Sequence, residues 1–266
     1  MESRSKASSM SATAGAQERP ALVTGAARRI GLAIAARLAH MGRPVVLHAS
    51  HRSVEEAELA AQAIRARGGR ASVAAADLAD ARETQELMAF AGRAFGPIAL
   101  LVNNASLFEL DCAEDFSAEV FDRQMAVDLR APLLLARDMA AQLPEGVEGA
   151  IVNLLDQRVF RPTPRYFTYT LAKSALWTAT RTMAQSFAPR IRVNAVGPGP
   201  VFPNAVHGQK GFETEARGVP LKRAADVAGV VDAVVYLAEA RSVTGQMIAV
   251  DAGQHLAWET PDVLPG

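Results

Sequence analysis

The stretch Pro20-Ala21-Leu22-Val23-Thr24-Gly25-Ala26-Ala27-Arg28-Arg29-Ile30-Gly31 sets the plan of the chain. Its first half reads as a short buried strand and Gly25-Ala26-Ala27 as a turn. Arg28 through Met41 then reads as a helix with Ile30, Ala33, Ile34 and Leu38 on its apolar stripe. The same unit repeats along the chain. Gly42 stops the helix and Pro44 opens a strand over Val45–His48, followed by a helix over Ser53–Arg67 with Ser53 as N-cap and Glu55 and Glu56 in its first turn. Strand Ala71–Ala75, helix Asp80–Phe95, strand Ile98–Val102 and a long helix Ser117–Gln142 follow. Then come strand Ala150–Leu155, helix Tyr166–Phe187, strand Arg190–Val196, helix Ala225–Glu239 and strand Met247–Val250. This alternation predicts an α/β fold: one domain over residues 20–266 with a doubly wound, seven-stranded parallel sheet. Residues Val201–Val219 hold little periodicity and three glycines (Gly208, Gly211, Gly218), and are predicted to form a lid loop.

Residues 1–19 are Ser/Ala-rich without an apolar core segment, which argues against a secretory signal and predicts a disordered tail. The 28 basic and 28 acidic residues balance, leaving no electrostatic footprint for nucleic acid or an anionic membrane. Cys112 is the single cysteine, which excludes an internal disulfide framework and fits a cytoplasmic protein. No apolar run is long enough to span a bilayer, and no metal is expected.

In open parallel sheets, ligands bind beyond the carboxyl ends of the strands, where strand order reverses. Thr24 to Gly31 lies at that place after the first strand. Gly25 and Gly31 suit a tight turn and close helix–strand packing, and the helix start offers free amides to a pyrophosphate. Leu47-His48-Ala49-Ser50-His51-Arg52-Ser53 after the second strand has no acid to bind a ribose 2′-hydroxyl. Arg52 can fork onto a 2′-phosphate and Ser50 or Ser53 can donate to it, so the predicted cofactor is NADP(H). Asp77-Leu78 is placed at the adenine, and Asn104-Ala105-Ser106 at the cofactor's middle.

Asp156-Gln157-Arg158-Val159-Phe160-Arg161-Pro162-Thr163-Pro164-Arg165-Tyr166-Phe167-Thr168-Tyr169-Thr170-Leu171-Ala172-Lys173 carries the chemistry. Tyr169 and Lys173 lie one helical turn apart on one face, and Asp156 ends the preceding strand. A nearby ammonium is expected to lower the tyrosine pKa. A Tyr/Lys pair at this spacing is also common on solvated helix faces.

With Thr24-Gly25-x5-Gly31, Asn103-Asn104-Ala105 and Tyr169-x3-Lys173 in this order, the chain resembles the short-chain dehydrogenase/reductase family from Pro20 to about Leu256, and Val250-Asp251-Ala252-Gly253 looks like that family's closing strand. The resemblance implies a single-domain Rossmann fold, Tyr169 as general acid, Lys173 holding the nicotinamide ribose, and a homotetramer. Three positions depart from the usual pattern: Arg29 for the middle glycine, Asp156 for serine, and Asp128 for an asparagine in the long helix. The first two, with His51-Arg52-Ser53 and Asn104-Ala105-Ser106-Leu107-Phe108, resemble the pteridine reductase and dihydromonapterin reductase branch, in which the residue at Phe108 stacks on the pterin. That branch leaves Asp128 unexplained.

The expected cofactor-binding set is therefore Gly25, Arg28, Arg29, Ile30, Gly31, His51, Arg52, Ser53, Asp77, Leu78, Asn104, Ala105, Ser106, Tyr169, Lys173, Pro198, Gly199 and Val201. The expected substrate set is Arg29, Ser106, Phe108, Asp156 and Tyr169, and the catalytic set Asp156, Tyr169 and Lys173. Reducing a ketone builds an alkoxide, which a carboxylate at 156 would oppose. Reducing a ring C=N puts hydride on carbon and a proton on nitrogen, which Asp156 with Tyr169 can supply. The chain is thus read as an NADPH-dependent reductase of dihydropterin-type rings. A carbonyl reductase of the same family and a non-catalytic cofactor-binding scaffold are the rivals. Apolar residues beyond one face of the long helices (Phe121, Met125, Leu134, Leu176, Trp177, Met183) suggest subunit contacts.

Overall fold

Seven strands form one parallel sheet in the order β3-β2-β1-β4-β5-β6-β7. The structure is a computed structural model that describes residues 19–204 and 206–258. The tail expected over residues 1–19 lies outside these, apart from Arg19, as does the stretch 259–266. The strands are β1 (Ala21–Val23), β2 (Val45–Ala49), β3 (Ala71–Ala75), β4 (Leu100–Asn103), β5 (Gly149–Leu154), β6 (Ile191–Pro198) and β7 (Met247–Val250). The helices that link them are α1 (Arg29–His40), α2 (Val54–Ala66), α3 (Ala81–Phe95), α4 (Ala118–Met125), α5 (Ala131–Gln142), α6 (Phe167–Phe187), α7 (Gly208–Gly218) and α8 (Val227–Glu239).

Strand alternation divides the core. Ala21 and Val23 of β1 face a layer that includes Ile34 and Leu38 of α1, Ile64 of α2, and Val230 and Val234 of α8. Leu22 faces the other way, toward Leu87 and Met88 of α3, Leu135 and Met139 of α5, and Met183 of α6. Both faces are covered, so the central strands are mostly apolar rather than alternating, with Asn103 and Asn153 buried as a hydrogen-bonded pair between β4 and β5. No helix among the described residues is long and apolar enough to cross a membrane.

Four expectations are corrected. Residues 201–219 are not a bare loop, because α7 forms there; Glu213 at i+4 from Gln209 bonds its side chain, and Ala216 buries against the body. Ser53 does not cap α2, because its hydroxyl points back to Ser50 Oγ, 3.0 Å away. Leu176 and Met183 are core rather than surface, leaving Phe121, Met125, Leu134 and Trp177 half-buried. The helix expected over 117–142 is interrupted by a π-helical turn, Ala126–Arg130, with Asp128 at its centre. Ser117 caps its start, accepting from Val120 N at 3.2 Å.

Candidate active site

The order reverses between β1 and β4, and there a cleft of about 1230 Å³ opens beyond the carboxyl ends of the strands. Every residue expected to bind cofactor or substrate lines it except His51. His51 turns away because Glu83, which also accepts from Asp77 N, takes its ring at 2.6 Å.

One half of the cleft is a cradle of backbone donors. Gly25 has φ +62°, and a Cβ on Gly31 would stand 2.3 Å from the Gly25 carbonyl oxygen, so both glycines are required by the turn. The first turn of α1 contains no acid, and Arg28 before it makes no side-chain cap, so those amides stay open to an anion. The turn is held from behind. Asn104 Nδ2 donates to the Thr24 and Gly25 carbonyls at 2.8 and 3.1 Å, and Gly25 N donates to His48 Nδ1 at 3.1 Å. His48 Nε2 then carries the proton and donates to Ala76 O at 3.1 Å. Burial pushes this imidazole down to about 4, keeping it neutral.

At the end of β2, Ser50, Arg52 and Ser53 line the cleft. Arg52 makes no ion pair among the described residues, whereas the neighbouring Arg28 pairs with Glu56 at 3.5 Å. Asp77 spends one carboxylate oxygen on Ala79 N at 2.9 Å. Open amides plus a guanidinium that makes no ion pair among the described residues suit a dinucleotide bearing an extra phosphate. Arg29 occupies the left-handed region at φ +53°, a conformation a glycine would take freely. Its guanidinium donates to Pro203 O at 2.8 Å and lies 5.1 Å from the Phe202 ring centroid, clipping the segment before α7 over the cradle.

The other half is a buried acid–base group. Tyr169 donates to Asp156 Oδ2 at 3.0 Å. Asp156 also caps the turn that follows, accepting from Arg158 N at 2.8 Å, and pairs with the Arg158 guanidinium at 3.1 Å. Lys173 donates to Leu154 O at 2.9 Å and pairs with Asp128 at 3.1 Å. The expectation that Lys173 lowers the Tyr169 pKa is overturned. Burial first, then Asp156 and Asp128, push the phenol well above its ordinary value, with Arg158 opposing. Phe108 forms an aromatic wall with Tyr166, stacked at 4.0 Å and 14°, and meets Tyr169 edge-on at 4.8 Å. Arg158 lies 5.5 and 5.1 Å from the Phe108 and Tyr166 rings.

Asp111, on the loop after β4, sets the start of α6. Its carboxylate accepts from Thr168 N and Thr168 Oγ1, and its carbonyl accepts from Tyr166 N at 2.9 Å. This holds Tyr166 at φ +60° just before the helix, where its buried hydroxyl has no protein partner among the described residues.

Arg158, Tyr166, Phe202 and His48 were missed by sequence reasoning. Two of these had a signal: Tyr166 precedes Tyr169 by one helical turn, and Arg158 follows Asp156 by two, the offset at which a capping acid meets a backbone N–H. The contacts of Phe202 and His48 are tertiary.

The family model described as enoyl-(acyl carrier protein) reductase matches residues 25–255. A short-chain type dehydrogenase/reductase of Picea abies is 34% identical over 249 residues, 89% of this chain and 92% of that protein. The chain belongs to the short-chain dehydrogenase/reductase family and is an oxidoreductase. Among solved structures, the FolM alternative dihydrofolate reductase 1 from Brucella canis, complexed with NADP, is 49% identical with a TM-score of 0.89, covering 92% of this chain and 97% of that one. A blue fluorescent protein from a metagenomic library, in complex with NADPH, is 31% identical with a TM-score of 0.82, covering 88% and 97%. A Bos taurus L-xylulose reductase is 34% identical over 245 residues, 88% of this chain and 96% of that protein.

Proposed function

We propose that this chain is an NADPH-dependent reductase of pterin-type rings, taking a dihydro- to a tetrahydropteridine. The observation that carries this reading is the Tyr169–Asp156 hydrogen bond of 3.0 Å inside the cleft. A carboxylate at this point opposes the alkoxide of ketone reduction, while the phenol it orients can give its own proton to a ring nitrogen. The likeness to two Brucella structures named as alternative dihydrofolate reductases in complex with NADP, each 49% identical, supports the same substrate class.

The reduced nicotinamide, when bound, supplies a hydride to the ring carbon. Everything else falls to the chain. The open amides from Gly25 to Gly31 and Arg52 would hold the anionic dinucleotide, and Ser50 and Ser53 would donate to its 2′-phosphate. Asp77 and Leu78 would meet its adenine, and Asn104, Ala105, Pro198, Gly199 and Val201 would hold its middle. Ser106 and Arg29 stand between cofactor and substrate. Phe108 and Tyr166 offer flat faces to a planar heterocycle. Tyr169, oriented by its hydrogen bond to Asp156, gives its hydroxyl proton to the ring nitrogen; solvent then returns a proton to the phenolate, a step favoured by the repulsion between phenolate and the Asp156 carboxylate. One hydride and one proton saturate the C=N bond. Arg158 holds Asp156 in place. We also assign a homotetramer and a cytoplasmic location to this enzyme.

Carbonyl reduction is the second reading, favoured by relatives such as the L-xylulose reductase. Following NADPH loss with dihydrobiopterin, dihydromonapterin, dihydrofolate and a ketone panel separates the two. Dihydropterin turnover that Asp156→Ser abolishes is the expected result. Turnover of ketones alone, or dihydropterin turnover retained in Asp156→Ser, would sink the pterin reading.

A further inference from the structure

Asp128 stands out among the buried groups because it is fully enclosed yet tied to four donors from three places. It pairs with Lys173 Nζ at 3.1 Å, accepts from Leu107 N at 3.0 Å, and accepts from Ser106 Oγ and Gln124 Nε2. Gln124 also donates to Leu107 O at 3.1 Å, which fixes its amide with the nitrogen toward Asp128. The N–H donors of Leu107, Gln124 and Lys173 all need an oxygen lone pair, and a carboxylate supplies them without a proton to place. Burial raises Asp128 above the ordinary carboxylate value, with Lys173, Ser106 and Leu107 opposing the rise.

We propose that Asp128 is a positioning residue that keeps Tyr169 a proton donor: its carboxylate closes an ion pair with Lys173, withdrawing that ammonium from the phenol, and ties the pair to the loop carrying Phe108. The charged groups around Tyr169 are Asp156 and Arg158 from the turn after β5, Asp128 from the π-helical turn, and Lys173 on its own helix. Both cations have a carboxylate partner, Arg158 with Asp156 and Lys173 with Asp128. No net positive charge is left to draw a proton off the phenol. Running the reaction backward needs a phenolate, so a phenol kept protonated moves the oxidative direction to more alkaline pH. The same carboxylate links Ser106 and Leu107 to Lys173, so the loop under the substrate ring and the proton source move as one piece. This rests on Tyr169 as the proton donor and not on the identity of the ring.

The test reads the phenol directly in the cofactor-free protein. The chain has three tyrosines, so Tyr166→Phe with Tyr236→Phe leaves Tyr169 as the sole phenol. Its ultraviolet phenolate absorbance is then titrated against pH, with near-ultraviolet circular dichroism reporting the fold. With Asp128 present, the phenol is expected to stay protonated until alkaline unfolding. Asp128→Asn should lower its midpoint by about one to three pH units, the effect of an uncompensated cation at this range. Adding Lys173→Met should reverse the shift, and Asp128→Ser should reproduce it with a smaller neutral residue. A midpoint unmoved in a folded Asn or Ser variant, or a shift that survives Lys173→Met, would overturn the proposal, as would failure of both neutral residues to fold. A shifted midpoint in a protein that reduces no dihydropterin would uphold this role and refute the pterin reading alone.

Discussion

The Tyr169 hydroxyl lies 3.0 Å from Asp156 Oδ2 and donates to it, with both side chains largely sealed from water. Burial and two carboxylates raise the phenol well above its ordinary value, so it stays a proton donor across the neutral range. Reduction should therefore hold its rate from neutral into alkaline pH. Tyr169→Phe should lower kcat about 10²- to 10⁴-fold, the usual worth of a general acid, while the dissociation constant for NADPH changes little. Steady-state rates and a fluorescence titration of NADPH check both.

Arg52, at the end of β2, makes no ion pair among the described residues and is proposed to meet the 2′-phosphate that separates the two coenzymes. Arg52→Ala should raise the KM for NADPH about 10- to 100-fold, the loss of a charge-assisted contact of about 1.5–3 kcal/mol, and leave the KM for NADH nearly unchanged. Equal changes for both coenzymes would place the guanidinium off the 2′-phosphate.

His48 makes folding sensitive to mild acid. Its ring titrates near 4 in the folded protein against 6.5 ordinarily, so the unfolded chain takes up the proton first. Stability is complete above pH 6.5 and falls as pH drops from 6.5 toward 4. The loss over that window is about 3 kcal/mol at 1.36 kcal/mol per unit. His48→Asn keeps an acceptor for Gly25 N and should flatten this part of the profile in urea unfolding measured at stepped pH.

Asp111 holds α6 by its first turn from a distant loop. Asp111→Ala strands the buried Thr168 N–H and hydroxyl and should cost about 1–3 kcal/mol in urea unfolding. It should also lower kcat, because Tyr166 and Tyr169 lose their anchor. A stability loss with unchanged kcat would separate the helix start from the catalytic geometry.

What could be read from the chain followed the range of the forces involved. Seven strands and their order of appearance were legible because the covered sheet makes them mostly apolar runs, broken only by single polar residues such as His48, Asn153, Arg192 and Asn194. Tyr169, Lys173 and Asp156 were legible because one helical turn and one strand end bring them together. His51 misled because Arg52 and Ser53 beside it do face the cleft, while Glu83, far along the chain, draws the imidazole away. The direction of the Tyr169 shift was not legible because its first cause is burial, which only the fold creates, and because Asp128, 45 positions before Lys173, joins the site through tertiary contacts. The helix over 208–218 escaped notice because its glycines masked a weak pattern.

The π-helical turn at Ala126–Arg130 accommodates one residue beyond the regular winding. Upstream of it, Gln124 meets Asp128 and the loop after β4; downstream, Leu135 and Met139 meet the sheet. Deleting a single residue within that turn would restore a uniform spiral and rotate one end against the other by about 100°. Either the acid partner of Lys173 would swing away from that ammonium or the hydrophobic stripe would lift off the strands. The two duties of this rod are thus kept in phase by one residue's worth of slack.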